Sequence, residues 1–215
     1  MRIAVISDVH GNFAALEAVL ADIGRRGVDA TIGLGDFLSG PFDPKAVVES
    51  ISASGMPCVR GNHDRYLVEP PQNDWAVDVW VRDTITAQHA DWLRALPATQ
   101  VLDGTVFMCH ATPQDDTSFW MDRPTDDMGV ISMPRENVEA RALGVDYPVL
   151  VCGHTHVQRT LRLADGRLLV NPGAVGLPFL QGSTDARYGI VERRGNDWSV
   201  EFFAIPYDRA TPMDQ

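Results

Sequence analysis

The sequence predicts an α/β protein whose two halves form two packed sheets of one domain, and three observations carry that expectation. The first half alternates short β-branched runs with segments of helical spacing. Its strands stop at polar clusters. The second half is rich in hairpin signals, and no repeat, linker or low-complexity tract separates the halves.

Residues 2–7 (RIAVIS) read as the first strand, and Asn12 then caps a helix with Phe13, Leu16, Val19, Leu20 and Ile23 on one face. Residues 29–36 (DATIGLGD) read as a second strand ending in Gly35-Asp36. Asp43-Pro44 is an N-cap and N1 pair opening a helix to about Ser54. Pro57 to Arg60 reads as a third strand, ending at Gly61-Asn62-His63-Asp64. Three successive strands with polar ends describe an open sheet that presents a site at its carboxyl edge. Residues 77–95 read as helical, with Trp92, Leu93 and Leu96 on the apolar side and Pro97 closing the stretch.

Beyond Thr99 come short strands (QVL, TVFMCH, PVLVCG, RTLRL, RLLVN, RYGIVER, WSVEFFAIP), with turns at Asp103-Gly104, Asp165-Gly166 and Gly195-Asn196. One helix, 135–143, interrupts them. Residues 111–133 are rich in Pro and Asp and lack periodicity, which predicts a lid or active-site loop beside the chemistry. The whole chain, 1–215, is thus expected to be one domain.

Composition narrows the function. With 215 residues, 45% of them hydrophobic and 22% charged, the chain can bury an ordinary core, which excludes disorder, collagen and coiled coil. Its net charge of −11 opposes binding of a nucleic-acid polymer, whereas a small phosphorylated substrate stays compatible because metal ions reverse the sign of a pocket. The three cysteines, Cys58, Cys109 and Cys152, form no CxxC pair and suggest a reducing compartment. No apolar run approaches a membrane span, so the expectation is a cytoplasmic protein without a membrane partner.

Five of the six histidines stand at strand ends or just after them: His10 in SDVHGN, His63 in GNHD, His110 in MCHA, and His154 with His156 in CGHTH. The same loops carry Asp8, Asp36 and Asn62. One histidine after a strand is usually a turn residue; the joint pattern is a ligand set. On extended backbone, Asp8 and His10 point the same way, as do His154 and His156, so each pair can face one metal pocket. Alternation would turn Cys109 and Cys152 into the core, away from any metal.

Asp-x-His, Gly-Asp, Gly-Asn-His-Asp, a lone His and Gly-His-x-His, in that order, resemble the calcineurin-like metallophosphoesterase superfamily. Asn171-Pro172-Gly173-Ala174-Val175-Gly176 resembles its small bacterial and archaeal phosphodiesterase branch, so the likeness runs from Met1 to about Pro206. It implies a β-sandwich of two mixed sheets flanked by helices around a two-metal site. Asp8, His10 and His156 would hold the first ion, Asn62, His110 and His154 the second, and Asp36 would bridge them. Oxygen and imidazole donors suit Mn, Fe, Zn or Ni, with Mn expected.

The implied reaction is phosphodiester hydrolysis by a hydroxide shared between the ions. His63 would steady the phosphoryl oxygens or protonate the leaving alkoxide, and Asp64 would orient that imidazole. The competing reading makes His63-Asp64 a capped turn, with Asp64 accepting a backbone amide. Arg60 and Arg65 are candidate phosphate contacts, and Phe119, Trp120 and Met121 could stack on a base or pack the loop down. His89 is expected to be structural. Ala111 after His110, and Gly-Asp-Phe-Leu-Ser-Gly, depart from the family pattern without removing a ligand.

A phosphomonoesterase, a protein-serine/threonine phosphatase and a dinucleoside polyphosphate hydrolase are the alternatives among enzymes. Outside them stands a scaffold like the retromer subunit of this fold, which the retained histidines oppose. The tips at Asp165-Gly166 and Gly195-Asn196 are where a homo-oligomer could form, although nothing in the pattern demands one.

Overall fold

The computed structural model describes residues 1–69, 75–126, 129–179 and 182–208. In chain order the elements begin with β1 (Arg2–Ile6), α1 (Phe13–Arg26), β2 (Ala30–Gly33), α2 (Pro44–Ser54), α3 (Asn62–Val68), α4 (Ala76–Thr84) and α5 (Ala87–Ala95). There follow β3 (Thr99–Leu102), β4 (Val106–Cys109), β5 (Asp122–Pro124), β6 (Val130–Ser132), α6 (Arg135–Arg141) and β7 (Val149–Val151). The chain ends its regular structure with β8 (Gln158–Arg162), β9 (Leu168–Pro172), β10 (Ala186–Arg194) and β11 (Asp197–Ile205).

Two mixed sheets carry the fold. One has the order β11-β10-β1-β2, with β1 parallel to β2 and antiparallel to β10. The other has the order β3-β4-β7-β9-β8, with β4, β7 and β9 parallel in its middle. Period-two alternation explains why both are apolar on two faces. From β1, Ile3 and Val5 join Val106, Met108, Val149, Val151 and Val170 between the sheets, while Ala4 and Ile6 pack under Leu16 and Val19 of α1 and Val47 of α2. On the far side, Phe107, Leu150 and Leu169 pack with Trp120 and with Val138 of α6. The layers therefore run helix, sheet, sheet, helix.

Local signals account for the helices. Asn12 accepts from Ala15 N and Asp43 from Ala46 N, so both caps read from the sequence hold the first turns of α1 and α2. The predicted helix over 77–95 divides at Ile85, because the Thr86 hydroxyl accepts from His89 N and starts α5. The predicted strand over 57–60 is a single bridge from Gly33 to Cys58. Arg60 N already donates to Pro97 O, and the chain turns at Gly61 into α3, so Asn62, His63 and Asp64 lie on a helix. Residues 111–133 hold the β5–β6 hairpin, pinned by the buried Asp122 carboxylate against Arg159 at 2.6 Å. Among the described residues no helix is long and apolar enough to cross a membrane.

Candidate metal centre

Five loops at the carboxyl edges of the sheets stack on one another. Asp8 N, His10 N and Gly11 N, after β1, donate to Gly35 O, Asp36 O and Phe37 O after β2. Gly153 N, after β7, donates to His110 O after β4 at 2.7 Å. The loop after β9 then closes the stack, with Val175 N and Gly176 N donating to Ser7 O and Asp8 O. Asn171 donates to Gly153 O at 2.6 Å and to the Thr155 hydroxyl, which gives the Asn-Pro-Gly motif a structural task.

The direction of the ligands departs from the expected strand alternation. Asp8, His10, Asp36, His154 and His156 all lie beyond the strands on left-handed backbone, with φ of 55°, 50°, 54°, 69° and 59°. Such backbone is costly for non-glycine residues and concentrates at working sites. Spacing two brings Asp8 and His10 into one ligand group through turns, not through the pleat, and it sends His154 and His156 to different groups, contrary to the expected shared pocket. Two glycines make room: a Cβ on Gly61 would stand 2.1 Å from Asp36 Oδ1, and one on Gly153 would stand 1.9 Å from Ser7 Oγ and 2.7 Å from Asp8 Oδ2.

All seven residues expected on metal converge. Asp8, His10 and His156 offer ligand atoms within 4.8 Å of one another, as do Asp36, His110 and His154. Asn62 Oδ1 lies 3.0 Å from His110 Nε2. Asp36 Oδ2 lies 3.2 Å from His110 Nε2 and 3.9 Å from His10 Nε2, between the two groups. Backbone carbonyls fix the rings: His10 Nδ1 faces Ser39 O at 2.6 Å, His110 Nδ1 faces Leu34 O at 2.7 Å and His156 Nδ1 faces Leu177 O. Each of these rings therefore donates from Nδ1 and points Nε2 into the site, the nitrogen on which a cation would replace a proton. His154 is reversed, with Nε2 on Thr117 O at 3.0 Å, which leaves its Nδ1.

This donor set fits divalent cations. His10 Nε2 and His156 Nε2 face each other at 3.2 Å, an arrangement of two lone pairs that needs a proton or a cation between them. Burial pushes the Asp8 carboxyl up, but His156 and His110 together hold it below the ordinary range; His110, His63 and His10 do the same, more strongly, for Asp36. Burial pulls His110 down while Asp36 lifts it to about 10, and burial with His156 takes His10 to about 4. The buried carboxylates thus draw positive charge onto their neighbours, the role that metal ions take over when ligands give up protons.

The structure separates His63 from Asp64. Among the described residues His63 Nδ1 is buried without a hydrogen-bond partner, its backbone N donates to Asp36 Oδ1, and its ring stands edge-on to His10 at 5.4 Å and beside Trp75 at 5.3 Å. Asp64 does not orient this imidazole. Its Oδ2 accepts from Asp36 N at 2.7 Å and Gly61 N at 3.0 Å, and its Oδ1 from Phe37 N at 2.9 Å. Burial and the Asp36 carboxylate push Asp64 up to about 7, against those amides. It is a fastener between the Gly35–Phe37 loop and the start of α3.

Other candidates have other work. Arg60 pairs with Glu69 at 3.3 Å and Arg65 with Asp116 at 2.7 Å. Trp120 and Met121 are core anchors, the Trp120 indole donating to Val138 O, while Phe119 stacks on His154 at 5.3 Å. His89 caps α5 away from the site. Cys109 and Cys152 are buried and free in the outer core. The carbonyls of Leu34, Ser39, Thr117 and Leu177, which aim the histidines, had no sequence signal because any residue supplies a carbonyl.

A profile of the calcineurin-like phosphoesterase superfamily domain matches residues 1–195. The chain belongs to that superfamily. This phosphoesterase is 28% identical over 232 aligned positions to an uncharacterized protein of Methanocaldococcus jannaschii, covering 96% of this chain and 88% of that one. Among solved structures, a metallophosphoesterase from Sphaerobacter thermophilus is 29% identical with a TM-score of 0.76, over 97% of this chain and 90% of the other. A hypothetical protein from Pyrococcus horikoshii shares the fold at a TM-score of 0.80 and 20% identity, over 97% and 89%.

Proposed function

We propose that this phosphoesterase is a dinuclear-metal phosphodiesterase acting on small organic or nucleotide diesters. The observation that carries the reading is the placement of Asp36 between two ligand groups at the floor of a pocket of about 370 Å³, with Trp75, Val77 and Leu177 as apolar walls. Asp8, His10 and His156 would hold one cation, and Asn62, His110 and His154 the other. The donors suit Mn, Fe, Zn or Ni, and Mn is our choice. When bound, two such ions supply Lewis acidity to a phosphoryl oxygen and acidify a water, so no protein nucleophile is needed.

This chain's residues do the rest. His63, with a ring nitrogen that no group among the described residues engages, donates a proton or hydrogen bond to the departing oxygen. Trp75, Val77 and Leu177 give the pocket an apolar wall beside it. A net charge of −11 disfavours polymers, and three free buried cysteines fit the cytoplasm.

The test is elemental mass spectrometry of the purified protein, with p-nitrophenyl phosphate and bis-p-nitrophenyl phosphate assayed in Mn and in chelator. Two bound ions and chelator-sensitive cleavage of the diester are expected, and preference for the monoester would make the protein a phosphatase instead. In His63→Ala, turnover should fall by roughly 100-fold or more with both ions retained. Unchanged turnover would remove His63 from the chemistry.

A further inference from the structure

A second pocket, of about 180 Å³, adjoins the first across His154 and His156, which line both. Phe119 and Phe179 form its aromatic walls, and Arg123 of β5 forms its cationic edge. Phe179 keeps 37% of its surface exposed, and Phe119 lies nearly parallel to His154, with 29° between the rings.

Arg123 differs from the other arginines near the centre. Arg60, Arg65 and Arg159 are engaged by Glu69, Asp116 and Asp122. The Arg123 guanidinium has no ion pair or hydrogen bond among the described residues. An unengaged guanidinium at the edge of an apolar pocket, on a chain of net charge −11, is suited to an incoming anion, and its planar fork matches phosphate. Two aromatic faces beside it suit a flat ring. A phosphomonoester has one organic arm and needs one pocket, whereas a diester has two, and here a pocket lies on either side of His154 and His156.

We propose that Arg123, Phe119 and Phe179 form a second substrate subsite that takes an aromatic arm bearing a further phosphate, so that the substrate class is a nucleotide diester with an additional phosphate on one arm. This rests on the phosphodiesterase reading. The pocket walled by Trp75, Val77 and Leu177 receives the other arm. Phe119 and Phe179 hold the base, and Arg123 pairs with the extra phosphate.

The experiment compares the Mn-loaded protein with its Arg123→Ala and Phe179→Ala variants on the dinucleotide TpT and its 5′-phosphorylated form pTpT, with bis-p-nitrophenyl phosphate as reference. Calorimetry on the same proteins compares thymidine 3′,5′-bisphosphate with thymidine 5′-monophosphate. In the wild type, kcat/KM for pTpT should exceed that for TpT by about 10-fold or more, the scale of a charge-assisted contact. Arg123→Ala should bring that ratio to about one and remove the matching preference in calorimetry, whereas Phe179→Ala should weaken both dinucleotides and keep the ratio. A wild-type ratio of one, or a ratio unchanged in Arg123→Ala, overturns the subsite, and cleavage of the reference diester in that case leaves the phosphodiesterase reading standing. No cleavage of any diester, with the bisphosphate still preferred through Arg123, overturns the diesterase reading and upholds the subsite.

Discussion

Replacing Asp64 by Asn tests whether that residue fastens the site or serves the chemistry through His63. The carboxylate accepts three backbone amides, from Asp36, Phe37 and Gly61, and is fully buried. A carboxamide of the same shape offers one oxygen. It can still serve Asp36 N and Gly61 N through that atom, but its NH2 group then faces Phe37 N–H, donor against donor. One charge-assisted contact is lost and a buried amide is left unsatisfied, which together cost about 2–4 kcal/mol. Because Asp36 N and the start of α3 are held by this side chain, Asp36 and Asn62 lose their placement as well, and metal affinity should fall by roughly 10- to 100-fold. Urea unfolding and Mn titration by calorimetry read the two effects. Stability within about 0.5 kcal/mol of the wild type, with Mn binding intact and turnover alone reduced, would refute the fastening argument and return Asp64 to a role in the chemistry.

Asp36→Asn should weaken both ions together, so that elemental analysis finds well under one ion per chain, since Asp36 Oδ2 approaches His110 and His10 alike; loss of one ion with the other fully retained would argue against a shared ligand. Gly153→Ala should cost about 1–3 kcal/mol by overpacking against Ser7 and displace Asp8, visible as weaker metal binding beside a lowered Tm. Asp22, which accepts from Arg26 at 2.6 Å, Tyr188 at 2.6 Å and Arg25 at 3.0 Å, is pushed up by burial but held below the ordinary carboxylate range by these partners. Its folded pKa is depressed, so its stabilisation is present above the unfolded value of about 3.9 and is lost as pH falls through the folded value. Asp22→Asn should therefore lose about 1.5–3 kcal/mol near neutral pH, a deficit that shrinks in urea unfolding at more acid pH.

Much of this molecule was legible along the chain. Asn12 and Asp43 announced α1 and α2 because a helix cap is a local interaction. Asp8, His10, Asp36, Asn62, His110, His154 and His156 were legible because metal ligands must be particular residue types and strand ends concentrate them. The strand over 57–60 was not, because whether an apolar run pairs further depends on where Pro97 places its carbonyl. The role of Asp64 was misread for a similar reason: its partners Asp36 and Phe37 are 28 and 27 positions away, and backbone amides carry no sequence mark.

Residue chemistry and periodicity were enough for the fold class and the list of candidate ligands, since burial by alternation and donor type are properties of the residues themselves; the expectation of one sheet from each half failed, because β10 and β11 return from the second half to pair beside β1. Tertiary structure decided how those ligands aim. The left-handed turns at Asp8, His10, Asp36, His154 and His156 replace strand alternation, the carbonyls of Ser39, Leu34 and Leu177 choose the ring nitrogens, and Arg123 comes beside His154 only through the β5–β6 hairpin. These are relations between segments distant in sequence, set by closing the loops over two packed sheets, and they exist only once the chain has folded.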